Sequence, residues 1–285
     1  MKLIVDSGST KTDWISLSKD GKLIFETHTL GLNPQVLDEH IIEERIINNY
    51  ELYQNRKKIT HLFFYGAGCG TEQPKELIKK VFESIFINAS INVREDTYAA
   101  VFSAAKKGEK SIVSIIGTGS NCTYFDGENI HQKVTSLGYV LMDDASGNYF
   151  GRQMIRDYFF EKMPDDISKE FSKSFELNPN IIKDKLYKKP NPNTYLAKFA
   201  KFIVENKENK YCSDLIKKGF NLFITNQIEQ FEDCKQLPLH FIGSISFYLK
   251  DELNDCLIKR GMKLGNVLKK PIDGLVNYHL KYNSN

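Results

Sequence analysis

The feature that most constrains this chain is a strand, glycine turn and hairpin pattern that occurs twice. The apolar run LIVDSG at residues 3–8 ends in a glycine turn, and two strand-like segments joined by an Asp-Gly turn follow it. The apolar run SIVSIIG at residues 111–117 also ends in a glycine turn, and the hairpin-like segment after it contains another Asp-Gly turn. The copies differ too much to be called a repeat, but they predict two α/β lobes of related topology.

Strands and helices alternate along the rest of the chain. We expect strands at 3–8, 14–18, 23–29, 61–66, 91–95, 111–117 and 238–244, a hairpin over 121–134, helices at 35–57, 74–87, 97–106 and 245–260, and mainly helical sequence over 147–232. A helix that begins after Pro271 is expected to pack at the end of the fold. The polar stretch 106–110 predicts the connection, which gives lobes at residues 1–108 and 109–285 with a ligand cleft between them.

Composition and charge exclude several classes of protein. The 285 residues carry a net charge of +3, and their basic tracts contain acids and lack an aromatic pattern, which argues against a nucleic-acid partner. No apolar run approaches the roughly 18 residues of a membrane span. The N-terminus turns polar after three apolar residues, unlike a signal peptide. The five scattered cysteines suit reduced thiols, so we expect a cytoplasmic protein without a membrane partner.

The strongest local motif is DSGSTKTD at residues 6–13. Small residues directly after a strand leave a concave row of backbone amides that suits phosphate oxygens. The turn also carries hydroxyl groups and one lysine, and Asp6 is placed to hold a metal ion directly or through water. The same residue types also form an ordinary hairpin turn, so this motif alone leaves both interpretations open.

A second turn of the same kind, GTGSNC at residues 117–122, follows the other apolar strand. Two such turns, one heading each lobe, can hold the phosphates of a nucleotide from opposite sides. Neither fits the GxxxxGK[ST] pattern of a P-loop or the GxGxxG pattern of a dinucleotide site. The pair therefore predicts a nucleotide-binding protein outside those two classes.

Together, DSGSTKTDW, Asp96, GTGSN and the late strand ending in FIGS resemble the superfamily of acetate and sugar kinases, heat-shock chaperones and actin. Within it the chain is most similar to the N-acetylglucosamine kinase branch, which also contains activator ATPases of benzoyl-CoA reductase and hydroxyacyl-CoA dehydratase. The resemblance covers nearly the whole chain. It implies two ribonuclease H-like (actin-like ATPase) lobes with mixed sheets and a cleft between them, with ATP and Mg²⁺ bound.

The resemblance also implies roles for particular residues. Asp6 would orient Mg²⁺. Asp96 would be the catalytic aspartate, at the end of the last strand of the first lobe. The residues implied to bind ATP are Gly8, Ser9, Thr10, Lys11 and Thr12 in the first phosphate loop, Gly117, Thr118, Gly119 and Ser120 in the second, and Gly243 and Ser244 against the adenosine.

The chemistry of a sugar kinase suits an acid at position 96. A sugar hydroxyl is a poor nucleophile, and it must lose its proton as the γ-phosphoryl group is transferred. A carboxylate within hydrogen-bond reach supplies that general base. Asp96 also precedes the helical segment TYAAVFSAA, where aspartate is a preferred N-cap, and the two roles are compatible.

The sugar pocket is assigned by resemblance as well. LGLNPQ at 30–35 makes Asn33 a sugar ligand, although an asparagine before proline is also a common turn residue. In SLGYVLMDDASGNYFG at 136–151, Asp143 falls on a sugar-hydroxyl ligand, and Gly138 and Tyr139 line the pocket.

That second segment departs from the family pattern. Met142 and Ala145 stand where glycines are usual, and Asp144 where glutamate is usual. If the family has glycine at these positions for its positive φ, the replacements here leave the loop reshaped or strained. If the family has glycine there for close approach, Met142 narrows the pocket.

The expected function is phosphorylation of an amino sugar by MgATP, with N-acetylglucosamine and its 6-hydroxyl favoured. The expected partners are the sugar and ATP, and a homodimer is one option for the assembly. Two alternatives stay open at this stage. One is an activator-type ATPase, although the five cysteines present no suitable pair for an iron–sulfur cluster, and the other is a non-catalytic nucleotide- or sugar-binding protein.

Overall fold

The computed structural model describes residues 1–8 and 11–282 and divides the chain into two compact units. The first unit comprises residues 1–103 together with the chain from residue 270 onward, and the second comprises residues 104–269. Both units are α/β, each with a five-stranded mixed sheet, which confirms the predicted fold class.

The helices and strands are numbered in chain order. The strands are β1 Lys2–Ser7, β2 Lys11–Leu17, β3 Leu23–Leu30, β4 His61–Gly66, β5 Ser90–Glu95, β6 Ser111–Ile116, β7 Ser120–Phe125, β8 Ile130–His131, β9 Pro238–Ile242 and β10 Lys263–Leu268. The helices are α1 Glu39–Ile47, α2 Tyr50–Asn55, α3 Glu72–Ile85, α4 Asp96–Ala104, α5 Gly147–Phe159, α6 Asp165–Ser174, α7 Pro179–Tyr187, α8 Pro192–Ala197, α9 Ala200–Glu205, α10 Lys210–Phe223, α11 Ser244–Tyr248, α12 Lys250–Ile258 and α13 Pro271–Tyr282. A π-helical turn, Ile224–Ile228, continues α10.

The two sheets have the same topology. The first runs β3-β2-β1-β4-β5 and the second β8-β7-β6-β9-β10. In each, the first three strands form an antiparallel meander, and the last two lie parallel to the first strand on its other side. Because parallel strands end at the same edge, the glycine turns after β1 and β6 each lie at the carboxyl edge of their own sheet.

The first sheet is covered on both faces. Alternate residues of β1 point to opposite sides, so that Leu3 and Val5 pack with α1 and α3 while Ile4 packs with α4 and α13. Trp14 on β2 is fully buried on the α3 side, edge-on to Phe82. The core of the second unit lies between its sheet and the helical segment, and it includes Phe150, Phe171, Phe220 and Phe241.

Four elements differ from the sequence predictions. The helix expected over 245–260 is two helices, α11 and α12, which are separated at Leu249. The long helix expected over 35–57 is two helices, because the Asn49 side chain accepts the amide of Leu52 and starts a new helix there. Strand β10 was not predicted. The C-terminal helix, which the prediction placed in a lobe spanning 109–285, belongs to the first unit, where Ile272 and Leu275 are buried against β1 and α4.

Candidate active site

Two carboxylates lie at the carboxyl edge of the first sheet. Asp6 is the penultimate residue of β1, opposite Asp13 on β2, and Asp96 begins α4 directly after β5. Burial, and then the charges of Asp96 and Asp13, raise the pKa of Asp6 to about 7. Burial, and then the neighbouring Glu95, raise the pKa of Asp96 to about 6, while hydrogen bonds from the backbone amides of Thr97 and Asp96 itself oppose the rise. Such displacement towards neutral pH is characteristic of groups that transfer protons.

Mg²⁺ is the metal ion that the family resemblance implies for this site. Within residues 1–8 and 11–282, no three His, Cys, Asp or Glu side chains lie close enough together to hold a metal ion. Mg²⁺ usually keeps several waters and takes only one or two carboxylates, with substrate phosphates completing its shell. Asp6 fits that role, because burial and then neighbouring negative charges raise its pKa, and a cation would favour its ionised form.

The first phosphate loop is a tight turn between β1 and β2. The Gly8 amide donates to the Lys11 carbonyl at 2.9 Å, and Lys11 Nζ lies 2.6 Å from Asp13 Oδ1 with its side chain half exposed. Ser9 and Thr10, both predicted to bind phosphate, lie outside the described residues. In the described part of this loop, Lys11 is the one residue with a cationic side chain.

Thr12 differs from its predicted role as a phosphate donor. Its side chain is fully buried, and its hydroxyl donates to the Leu30 carbonyl at 3.1 Å. A hydroxyl has one hydrogen, so none remains for a phosphate oxygen. The structure therefore assigns Thr12 to the support of the loop.

Asn33 is both a turn residue and a candidate ligand. Its Oδ1 accepts the Gln35 amide at 2.9 Å, which is the turn expected before Pro34. Gly68, at φ 83°, packs against that oxygen so closely that a Cβ there would collide with it. The Asn33 side-chain nitrogen donates to no residue in the described part of the chain, so its two hydrogens are available to a ligand.

The second phosphate loop is fastened to the start of α5. The carbonyls of Gly117 and Thr118 accept the amides of Gly147 at 2.8 Å and Asn148 at 3.0 Å. The Gly117 amide donates to the Gly119 carbonyl at 2.9 Å. The amides of Thr118 and Gly119 have no acceptor among the described residues. Two adjacent free amides suit an anion.

Asp143, predicted to bind sugar, lies directly beside this loop. Its buried carboxylate accepts the backbone amide of Ser120 and, at 3.5 Å, the side-chain amide of Asn148. Burial raises its pKa, and these hydrogen bonds together with Arg152 oppose the rise. A Cβ on Gly119 would lie 2.6 Å from Asp143 Oδ2, so glycine is required there for close approach.

Met142 and Ala145, which stand where the family usually has glycine, differ in backbone conformation. Asp144, which stands where glutamate is usual, accepts the side-chain amide of Asn226 at 2.8 Å. Met142 lacks the positive φ that would require glycine, and its sulfur accepts the Leu137 amide at 3.2 Å. Ala145 does have a left-handed backbone, at φ 59°, which costs a non-glycine residue about 1–2 kcal/mol. Asp143 in the same segment also has a left-handed backbone, at φ 66°, so the segment is strained at Asp143 and Ala145 but not at Met142.

The remaining predicted residues lie in the same unit. Gly138, at φ 79°, has open space beside its Cα, and the partly buried Tyr139 offers its carbonyl to Arg152 at 3.1 Å. Gly243, at φ 124°, touches the end of β6, where a Cβ would collide with the Ile116 carbonyl. The exposed Ser244 follows it at the start of α11. The residues predicted to bind adenosine therefore lie next to the second phosphate loop.

Sequence reasoning missed two residues near the first carboxylate site. Glu95 raises the pKa of Asp96, and its position directly before Asp96 is the signal that was available. Ser7 is buried on the side of β1 that Leu3 and Val5 face, and a hydroxyl on an otherwise apolar face was the sign that it has a hydrogen-bonding partner.

The cysteines form no disulfides, and all five are buried as free thiols. None of the helices within the described residues combines the length and apolar character of a membrane span.

Two sheets of identical 3-2-1-4-5 order, each with a glycine turn after its first strand, define an actin-like ATPase fold. Comparison with protein-family models gives no match. Among solved structures, the putative N-acetylglucosamine kinase of Porphyromonas gingivalis is 34% identical, with a TM-score of 0.92 over 99% of this chain and 100% of that protein. At that identity over the full length, the chain belongs to the N-acetylglucosamine kinase-like branch of the actin-like ATPase and sugar kinase superfamily.

More distant structures share the fold. The putative N-acetylglucosamine kinase of Chromobacterium violaceum is 15% identical, with a TM-score of 0.74 over 97% of this chain and 98% of that one. A ROK family glucokinase from Streptomyces griseus, solved in complex with glucose and AMPPNP, is 12% identical, with a TM-score of 0.56 over 99% of this chain and 100% of its own.

Proposed function

We propose that the protein transfers the γ-phosphoryl group of ATP to the 6-hydroxyl of N-acetylglucosamine or a closely related amino sugar. The observation that carries the proposal is the pair Asp6 and Asp96, whose pKa values are both raised at the carboxyl edge of the first sheet. The 34% identity to the putative N-acetylglucosamine kinase of P. gingivalis supports an amino sugar as substrate.

Asp96 is the proposed general base. As the hydroxyl oxygen attacks the γ-phosphorus, the bond from that phosphorus to the bridging oxygen of ADP breaks, and the hydroxyl proton passes to the Asp96 carboxylate. With a pKa near 6, Asp96 is mostly ionised at pH 7 and more basic than an ordinary aspartate. The Thr97 amide also fixes the carboxylate at the start of α4, so the capping and catalytic roles coexist.

The other proposed roles are binding roles. Lys11, Gly8 and the free amides of Thr118 and Gly119 are proposed to bind ATP phosphates, and Gly243 and Ser244 the adenosine. Asp6 is proposed to hold Mg²⁺, which when bound neutralises phosphate charge. The sugar ligands are proposed to be the Asn33 amide and the Asp143 carboxylate, with Gly138 and Tyr139 lining the pocket.

The test is a coupled ADP-release assay over N-acetylglucosamine, N-acetylmannosamine, glucosamine and glucose, with the phosphorylated carbon assigned by NMR. We expect turnover to depend on the sugar and to be fastest with N-acetylglucosamine. Asp96→Asn should lower kcat by about 10²–10⁴-fold while ATP affinity stays within about threefold. Absence of sugar-dependent turnover at millimolar sugar, with nucleotide binding intact, would contradict the proposal.

A further inference from the structure

Residues 30–32 comprise the last residue of β3 and the two residues that lead from it to the proposed sugar ligand Asn33. Gly31 and Leu32 are buried, yet they lie outside any strand or helix. The amides and carbonyls of such a backbone need hydrogen-bonding partners other than those of a regular sheet or helix, because unpaired buried groups are costly. The positions of these partners therefore fix the path of the chain into Asn33.

Two hydroxyl groups supply partners on one side of the segment. Thr12 Oγ1 donates its hydrogen to the Leu30 carbonyl at 3.1 Å. Ser7 Oγ lies 2.8 Å from Thr12 Oγ1, so Ser7 must be the donor in that pair. The Leu32 amide donates to Ser7 Oγ at 3.1 Å. The four groups form one directed chain, from the Leu32 amide through Ser7 and Thr12 to the Leu30 carbonyl.

Arg45 on α1 supplies the partner on the other side. Its guanidinium donates to the Gly31 carbonyl. This part of α1 borders a surface groove of about 490 Å³ lined also by His28, Glu44 and Asn48. The carbonyls of Leu30 and Gly31 and the amide of Leu32 are thus held by three side chains that are distant in sequence.

We propose that Ser7, Thr12 and Arg45 are positioning residues for sugar binding, acting through the segment that presents Asn33. This inference rests on the proposed function, because Asn33 has a role only if the protein binds a sugar. The rung formed by Ser7 and Thr12 is the last pair of β1 and β2 before the phosphate turn. The same rung therefore supports the proposed phosphate loop and the proposed sugar segment.

The phosphate turn between β1 and β2 has a hydrogen bond of its own. Effects on the turn can therefore be separated from effects on the sugar segment. The bond from the Gly8 amide to the Lys11 carbonyl, at 2.9 Å, does not involve either hydroxyl. Loss of a hydroxyl should therefore disturb the sugar segment more than the phosphate turn. The Leu30 carbonyl also accepts the Thr29 hydroxyl at 3.0 Å, whereas the Leu32 amide depends on Ser7 alone among the described residues.

The experiment compares Ser7→Ala, Thr12→Val and Arg45→Gln in the full-length protein. We expect Ser7→Ala to raise KM for N-acetylglucosamine about tenfold, because it leaves a buried amide unpaired. Thr12→Val should raise KM for N-acetylglucosamine less, about threefold, because the Thr29 hydroxyl still donates to the Leu30 carbonyl. Arg45→Gln should also raise KM for N-acetylglucosamine. In all three variants, KM for ATP should stay within about threefold of the wild-type value.

Two control variants separate positioning from general damage. Thr12→Ser keeps the hydroxyl and should retain wild-type sugar KM. Ser16→Ala removes another fully buried hydroxyl of β2, one whose oxygen has no hydrogen-bond partner, and should also leave sugar KM unchanged.

Hydrogen exchange gives a readout that does not depend on activity. The amides of residues 30–33 should exchange faster in Ser7→Ala than in wild type or Ser16→Ala. Unchanged exchange there, or equal increases in KM for sugar and ATP, would overturn the inference. A wild-type protein that phosphorylates no sugar, while Ser7→Ala still accelerates this exchange, would instead refute the proposed function and leave the structural link intact.

Discussion

The Asp96 carboxylate is governed by opposing local effects. Burial and the adjacent negative charge of Glu95 favour its protonated form, whereas amide hydrogen bonds at the start of α4 favour its ionised form. The balance leaves its pKa at about 6, between that of an ordinary aspartate and neutral pH. A base must be ionised to accept a proton, so activity should depend on pH in that range.

We therefore expect kcat/KM for the sugar to fall as the pH drops through about 6. Glu95→Gln removes a neighbouring negative charge, so it should lower the pKa of Asp96 and move this acid limb to lower pH. The measurement is a pH–rate profile of each variant. Glu83→Gln, at an exposed position of α3, serves as the matched control and should leave the limb in place. A shift to higher pH in Glu95→Gln would contradict the assignment of Asp96 as the base.

At the level of helices and strands, local sequence signals and distant contacts contribute differently. Strands β1, β4, β6 and β9 were predicted because each is a compact apolar run with a clear turn signal at its end. Strand β10 was missed because KLGNVL has a glycine and an asparagine at its centre. The strand forms through a distant contact, because β10 pairs in parallel with β9. The register of this pairing shifts between Leu264 and Val267.

The site shows the same division. The glycine turns and Asp96 follow strand ends, which the sequence marks, so their positions could be predicted. The burial of Thr12 could not, because it depends on Leu30 and Ser7 meeting it across the sheet. The duplicated topology is a signal that went unused: a strand equivalent to β5 is needed in the second sheet, and β10 fills that place.

The contact of α13 with α4 gives a prediction at this scale. Gly274 lies so close to α4 that a Cβ would collide with the Ser103 backbone carbonyl. On an open helix surface, Gly→Ala would stabilise the protein by up to about 1 kcal/mol. Here we expect Gly274→Ala to destabilise the first unit by about 1–3 kcal/mol, because backbone must move to admit the methyl group.

Thermal unfolding followed by the emission of the single tryptophan, Trp14, measures this effect in the first unit. Asn277→Ala, at an exposed position one turn further along α13, is the control and should stay within about 0.5 kcal/mol of wild type. A stabilised Gly274→Ala variant would show that α13 does not pack against α4 as described.

For the whole molecule, one of the two compact units is built from two separate stretches of the chain. The chain leaves the first unit after residue 103 and returns to it at residue 270, whereas the second unit is continuous. No local signal in PIDGLVNYH indicates which unit the helix joins, because its apolar face fits any exposed sheet. The boundary predicted at residue 108 therefore followed the sequence pattern and missed the returning helix.

This difference predicts how fragments behave. Residues 104–269 should fold alone, because their sheet and helical core are complete within that range. Residues 1–103 alone lack α13 and would expose Ile4, Leu17 and Tyr65, which pack with Ile272 and Leu275. Joining residue 103 to residue 270 through a short Gly/Ser linker should restore folding, since Ser103 and Gly274 are in contact. Cooperative melting of Trp14 emission in the joined fragment, and its absence in 1–103, is the expected result. Equal melting in both would mean that the first sheet is complete without the returning helix.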